Sequence, residues 1–132
     1  GHEGSITTVH ANTPNDAIRR VESMVVMAGM DLPSSIIREF IIGALDIVVQ
    51  ATRLTDGTRK IVSISEVQKN GDGTSKIIEI FTFKRMGMTP NGEVKGIYTA
   101  TGNRPKCFDR IQMFGIPISN ELFTPAREEV YE

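Results

Sequence analysis

The chain has 132 residues, a net charge of −1, 39 % hydrophobic residues, two histidines and one cysteine. That length fits one domain with a modest core, and the balanced charge argues against a general nucleic-acid binder, which needs a basic footprint. No apolar run approaches the roughly 18 to 20 residues that span a bilayer, no signal-peptide pattern opens the chain, and the lone Cys107 forms neither an internal disulfide nor a thiolate clip.

The first stretch, Gly1-His2-Glu3-Gly4-Ser5-Ile6-Thr7-Thr8-Val9-His10-Ala11-Asn12, holds both histidines. Ile6, Val9 and the β-branched Thr7 and Thr8 predict an extended strand over 5–11, with Ile6, Thr8 and His10 on one face. Glycines, hydroxyls, imidazoles and free backbone N–H groups ahead of a helix start are the ingredients of a nucleotide or phosphate site. The same residues also read as a glycine turn followed by a plain polar strand. Thr13-Pro14-Asn15-Asp16 then predicts a helix start: an N-cap hydroxyl, proline at the first position and a carboxylate three residues after the cap. Apolar residues at Ala17, Ile18, Val21, Met24, Val25 and Ala28 form one stripe of a helix over 14–28, which Gly29 closes as a left-handed C-cap. Met24, Met27 and Met30 read as helix-core packing. A second helix follows Pro33, with Ile37, Phe40, Ile41, Ala44 and Leu45 inward and Arg38 and Glu39 outward.

After Asp46 the period changes. Ile47-Val48-Val49 is a continuous apolar run, which predicts a strand buried on both faces with helices on both sides of the sheet. Asp56-Gly57 predicts a hairpin turn into a strand over 60–67, and Asn70-Gly71-Asp72-Gly73 breaks the chain before a strand over 76–84. In that strand Ile77, Phe81 and Phe83 face one way, Ile78 and Ile80 the other. Pro90-Asn91-Gly92 is a third turn, followed by a strand over 93–100. Pro105 opens a short helix that Gly115 ends, leaving Cys107 an inert, partly buried thiol. The order of elements suits an α/β piece with a mixed sheet, and no internal repeat recurs. Lys84, Arg85, Lys95, Arg104, Lys106 and Arg110 crowd residues 84–110, which reads either as a solvated face or as contact with an acidic partner or neighbouring subunit.

The run at 1–12 closely resembles the histidine box of secretion-type hexameric ATPases, specifically the CpaF branch that powers Flp/Tad pilus assembly. Residues 13–25 and Met27-Ala28-Gly29-Met30-Asp31-Leu32-Pro33 resemble the helix and proline turn that follow the box. Asp46-Ile47-Val48-Val49-Gln50, Arg53-Leu54-Thr55-Asp56-Gly57-Thr58-Arg59 and Ile64-Ser65-Glu66-Val67 resemble its next strands, and Ala100-Thr101-Gly102-Asn103-Arg104-Pro105-Lys106 and Glu121-Leu122-Phe123 its terminal segment. The resemblance covers nearly the whole chain. It implies an α/β fold, the C-terminal half of a RecA-like P-loop ATPase domain, with a mixed sheet, two N-terminal helices and a C-terminal lobe. Residues 1–83 are then the half-domain with the histidine box, and 84–132 the lobe with a frayed tail.

No Gly-x-x-x-x-Gly-Lys-Ser/Thr phosphate loop occurs, and no acidic strand end precedes the box. The chain is therefore read as part of a longer protein. The resemblance implies that His2 and His10 sense or polarise the ATP γ-phosphate or its attacking water, with Ser5, Thr7 and Thr8 in supporting hydrogen bonds and no metal ligand supplied here. It implies ATP and Mg2+ as cofactors of the parent, a homo-hexamer, an inner-membrane platform protein as partner, no nucleic acid, and a cytoplasmic location held at the inner membrane through partners. The parent is then an ATP hydrolase, while this chain alone is expected neither to hydrolyse ATP nor to bind it tightly. Glu66 matches a fixed position of the family or makes a structural ion pair. The competing reading is a non-catalytic interaction module whose residues 84–132 dock on a membrane platform or an adjacent subunit. In either case Phe81, Phe83, Ile97, Phe108, Ile111, Phe114 and Leu122 are expected to anchor the lobe over 84–123, and residues after Thr124 to fray.

Overall fold

The computed structural model describes residues 4–72 and 74–126. The element order is α1 (Pro14–Met27), α2 (Ser34–Ala44), β1 (Ile47–Arg53), β2 (Arg59–Lys69), β3 (Ser75–Met88), β4 (Val94–Ala100), α3 (Cys107–Met113) and a 3-10 turn (Asn120–Phe123). The chain divides into two units, one up to Leu45 and one from Asp46 onward. The boundary expected at 83 lies inside β3, a single continuous strand.

The first unit is a helical hairpin. Thr13 caps α1, its hydroxyl accepting the Asp16 N–H at 3.1 Å, and Pro14 fills the first position, where no N–H is needed. After the Ala28 C-cap the chain turns at Gly29, whose φ of +86° is a left-handed conformation that a side chain resists. The Pro33 carbonyl then accepts the Ile36 and Ile37 N–H groups and opens α2. Ile18 and Ile37 are 1 % and 2 % exposed, and each contributes about 1.5 to 3 kcal/mol by leaving water. Arg38, expected outward, reaches Glu22 at 3.7 Å and ties α2 to α1. Met24, Met27, Met30 and Phe40, read as inward-facing, are exposed. Two short helices bury only a narrow seam, so the outer positions of each apolar stripe stay in solvent.

The second unit is a four-stranded meander, order β1-β2-β3-β4, with every pair antiparallel. The expected mixed sheet is thus an antiparallel one among the described residues. Each strand connection is a tight turn, at 54–58, 70–74 and 89–93, and connections that short join only antiparallel neighbours. The strand expected over 5–11 is absent: these residues have no regular secondary structure, and Ile6 is fully exposed. β-propensity without a partner strand does not hold a ladder. Nor is β1 buried on both faces. It is an edge strand with alternating exposure, Ile47 and Val49 being about half exposed.

One end of the sheet is packed under α3. Phe108 is wholly buried, with Phe123 edge-on to it at 5.1 Å and Phe81 6.0 Å from Phe123. Phe108 anchors this segment as expected, but Phe114 and Leu122 are exposed and Phe123 takes the place assigned to them. Phe83 lies against Tyr98 at 5.1 Å and over Gly96, where a Cβ would collide with its ring. Attachment also continues past Thr124, since the Ala126 N–H donates to the Thr99 hydroxyl at 2.7 Å.

At the opposite end, Asp56 links two turns. One carboxylate oxygen accepts the Thr58 N–H and hydroxyl at 2.9 and 2.6 Å, and the other accepts the Val94 N–H at 2.7 Å. The Thr58 hydroxyl first, then the Val94 and Thr58 N–H groups, lower its pKa from 3.8 to about 2. A depressed folded pKa stabilises the fold above the unfolded value, and the benefit is lost as pH falls through the folded one. Asp56→Asn cannot accept the Val94 N–H through its amide nitrogen. The variant should be less stable than the parent sequence at neutral pH, and the gap should close between pH 3.8 and about 2, as read by chemical denaturation across that range.

Candidate functional site

The histidine-containing run leads without interruption into the capped start of α1. Thr13, three residues after His10, is the cap whose side chain fixes the direction of that approach. Ser5, Thr7, Thr8 and His10 all lie exposed on this irregular stretch, and His2 lies outside the described residues. The four described side chains share a segment, but no strand register locks them onto one face. A shallow depression on α1, lined by Arg19, Glu22, Ser23, Val26 and Met27, includes none of them. Among the described residues, no group of three or more His, Cys, Asp or Glu side chains is placed to hold a metal ion.

Glu66 has a different position from the one its sequence context suggested. It sits in β2, one of the two central strands, at 5 % exposure, and among the described residues it pairs with no cation. One of its oxygens accepts the Lys106 N–H at 2.8 Å and the Gln68 amide at 3.0 Å, and the other accepts the Cys107 N–H at 2.9 Å. The carboxylate therefore serves as the missing cap of α3, whose N-cap residue Lys106 provides no side-chain bond of its own. Burial pushes the Glu66 carboxyl up, but the Cys107 and Lys106 N–H groups and the Gln68 amide outweigh it and hold the group below its ordinary value. Sequence reasoning missed this contact. Its one signal was negative: a helix start after Pro105 with no Ser, Thr, Asp or Asn to cap it.

Cys107 is exposed rather than partly buried, yet its thiol is still pushed up by desolvation and by the adjacent Glu66 carboxylate. A raised thiol pKa disfavours the nucleophilic thiolate, in keeping with an inert cysteine. Among the described residues, no helix is long and apolar enough to cross a membrane.

No family model matches the chain. Over 82 residues, 61 % of its length, it is 32 % identical to a conjugal transfer protein TrbB of Rhizobium radiobacter, of which those residues cover 24 %. Over 77 residues, 58 % of its length, it is 30 % identical to a probable conjugal transfer protein TrbB of Sinorhizobium fredii (strain NBRC 101917 / NGR234), covering 22 % of that protein. The chain spans about a quarter of the length of the curated relatives it matches.

If Glu66 is a structural cap, its removal should damage stability directly. Glu66→Ala leaves the Lys106 and Cys107 N–H groups without their acceptor and should cost about 2 to 4 kcal/mol in urea unfolding. A loss under about 0.5 kcal/mol would assign α3 another anchor.

Proposed function

We propose that this chain is the C-terminal part of the ATPase domain of a secretion or pilus-assembly ATPase, and that its opening segment acts on the terminal phosphate of ATP. The observation that carries the reading is the histidine-containing run, which leads directly into the capped N-terminus of α1. The identity shared with conjugal transfer proteins TrbB supports it, because conjugal transfer is also a type IV secretion-related process. In this reading the domain is a RecA-like half, the assembled parent is a homo-hexamer, and it works beneath the inner membrane against a platform protein.

The chemistry asked of this segment is modest. Phosphoryl transfer is accelerated mainly by positioning and by donors placed where negative charge develops. His10 and His2 donate to, or orient water toward, the γ-phosphate, and the hydroxyls of Ser5, Thr7 and Thr8 hold the imidazoles and the water in place. These exposed hydroxyls and the exposed His10 imidazole fit the phosphate end of a nucleotide rather than its metal. Magnesium, when bound, neutralises phosphate charge, and its ligands belong to the remainder of the parent.

A second reading is favoured by one feature of the C-terminal segment. Met113, Phe114, Ile116 and Leu122 are all exposed around α3 and the 3-10 turn, which suits docking of this segment on a platform protein or neighbouring subunit. The two readings are compatible in a longer protein.

In the full-length parent, His10→Ala should lower ATP turnover at least about tenfold with little change in nucleotide affinity, because a donor acting on developing charge alters the chemical step more than ground-state binding. Steady-state kinetics with unchanged turnover for both His10→Ala and His2→Ala would remove the catalytic assignment. The isolated chain should hold ATP with Mg2+ no more tightly than about 1 mM, roughly −4 kcal/mol, since backbone N–H cradles and a loop lysine provide most of the affinity of phosphate-loop enzymes. Isothermal titration that revealed a micromolar site would place nucleotide binding elsewhere on this sequence.

A further inference from the structure

β1 and β2 close on the 54–58 turn with two arginines in register: Arg53 and Arg59 are direct cross-strand partners, and both are exposed. Directly opposed side chains on antiparallel strands have Cβ atoms about 4.5 to 5.5 Å apart, and like charges at that spacing are destabilising. Folded proteins ordinarily relieve such a pair with a carboxylate. Among the described residues, neither arginine has an ion-pair partner.

Asp56, the carboxylate within their own turn, forms an ion pair with neither. Its two oxygens are taken by Thr58 and Val94, as described above. Arg53 itself lies over the tip of the turn, with Nη2 3.8 Å from where a Cβ on Gly57 would stand. Two further cations border the same end of the sheet. Lys60 sits over the Phe83 ring at 5.6 Å, and Arg85 donates to the Thr55 hydroxyl at 3.3 Å. Four cations thus lie at this end of the sheet, in a chain whose net charge is −1.

We propose that Arg53 and Arg59 form a binding site for a phosphate-type oxyanion. A guanidinium is a rigid planar fork that bonds two oxygens of a phosphoryl group at once, and its charge is permanent near neutral pH. The β1–β2 ladder holds the two forks side by side, so a tetrahedral dianion between them removes their repulsion and gains two charge-assisted contacts. Exposure keeps the site weak and salt-sensitive, in the millimolar range. The chemistry is shared by a soluble phosphoryl compound and by an anionic lipid headgroup. The site stands apart from the histidine run in sequence and does not depend on the ATPase reading.

The test uses the whole chain at fixed ionic strength set by sodium chloride, with inorganic pyrophosphate as the probe. Pyrophosphate should raise the unfolding temperature and shift the backbone amide resonances of residues 52–60. Arg53→Gln and Arg59→Gln should each weaken that binding about tenfold, whereas Lys76→Gln, an exposed cation at the other end of β3, should not. Without ligand, Arg59→Gln should be as stable as the parent sequence or more so, because it removes the like-charge pair. Phosphatidylcholine vesicles with and without phosphatidylglycerol separate the sources. Binding of anionic vesicles that pyrophosphate displaces and Arg53→Gln abolishes supports the site with a lipid ligand, and pyrophosphate binding without vesicle binding supports it with a soluble one. No effect of pyrophosphate beyond that of chloride, an equal loss for Lys76→Gln, or vesicle binding that survives Arg53→Gln overturns the proposal. Failure here leaves the histidine reading intact, because that reading is tested by turnover of His10→Ala.

Discussion

A buried carboxylate in the central strand of a sheet is expensive unless donors surround it, and Glu66 solves that problem by taking the first two N–H groups of a helix 40 residues away. The bonds serve both partners. Without them α3 begins with no side-chain cap, and Phe108, on that helix's first turn, has no fixed place over the sheet. With them the helix start is tied to β2, Phe108 is wholly covered, and Phe123 closes on its edge. The start of α3 is placed by this contact, and the later part of the segment is also held by Phe123 against Phe81 and by the Ala126 N–H on Thr99.

The rest of the sheet is governed by its turns. Asp56-Gly57-Thr58 and Asp72-Gly73-Thr74 share the same spacing, and in both the aspartate accepts the hydroxyl and N–H of the threonine two residues on. Such a turn is encoded within three residues and needs no long-range help. It also dictates antiparallel pairing, so three local turns generate a four-stranded meander. Asp56 goes further than Asp72, because its second oxygen reaches the backbone at the start of β4 and ties the ends of two hairpins together.

These facts explain what the sequence made legible. Helix starts and ends, hairpin turns and the anchoring Phe108 are local patterns, and each stands where periodicity and capping chemistry put it. Pairing direction and burial are not local. The apolar run 47–49 has the composition of a strand covered on both faces, yet at the edge of this sheet Ile47 and Val49 are about half exposed. The run 5–11 has β-propensity but no ladder. Phe114 and Phe123 are equally apolar in sequence, and only the geometry of the chain after α3 decides that Phe123 is the one packed against Phe108. The Glu66 cap was invisible for the same reason, because its partners lie 40 and 41 residues away. The candidate site differs from the fold: its residue types suggested phosphate chemistry or a plain polar strand, and the irregular stretch that carries Ser5, Thr7, Thr8 and His10 gives their exposed side chains no strand register.

That contrast bears on how such a segment could act at all. A catalytic imidazole has to be held within a fraction of an ångström of its working position, by elements whose own side chains are locked. Near His10, the Thr13 cap of α1 is one fixed point. A hydroxyl three residues away orients the backbone and makes no contact with the imidazole itself, so in the proposed reading the phosphate would supply part of the restraint on His10. The β1–β2 turn is built the opposite way. The Asp56 bonds to Thr58 and Val94 and the β1–β2 ladder fix the backbone that carries Arg53 and Arg59, so the proposed oxyanion would have only their side chains to order.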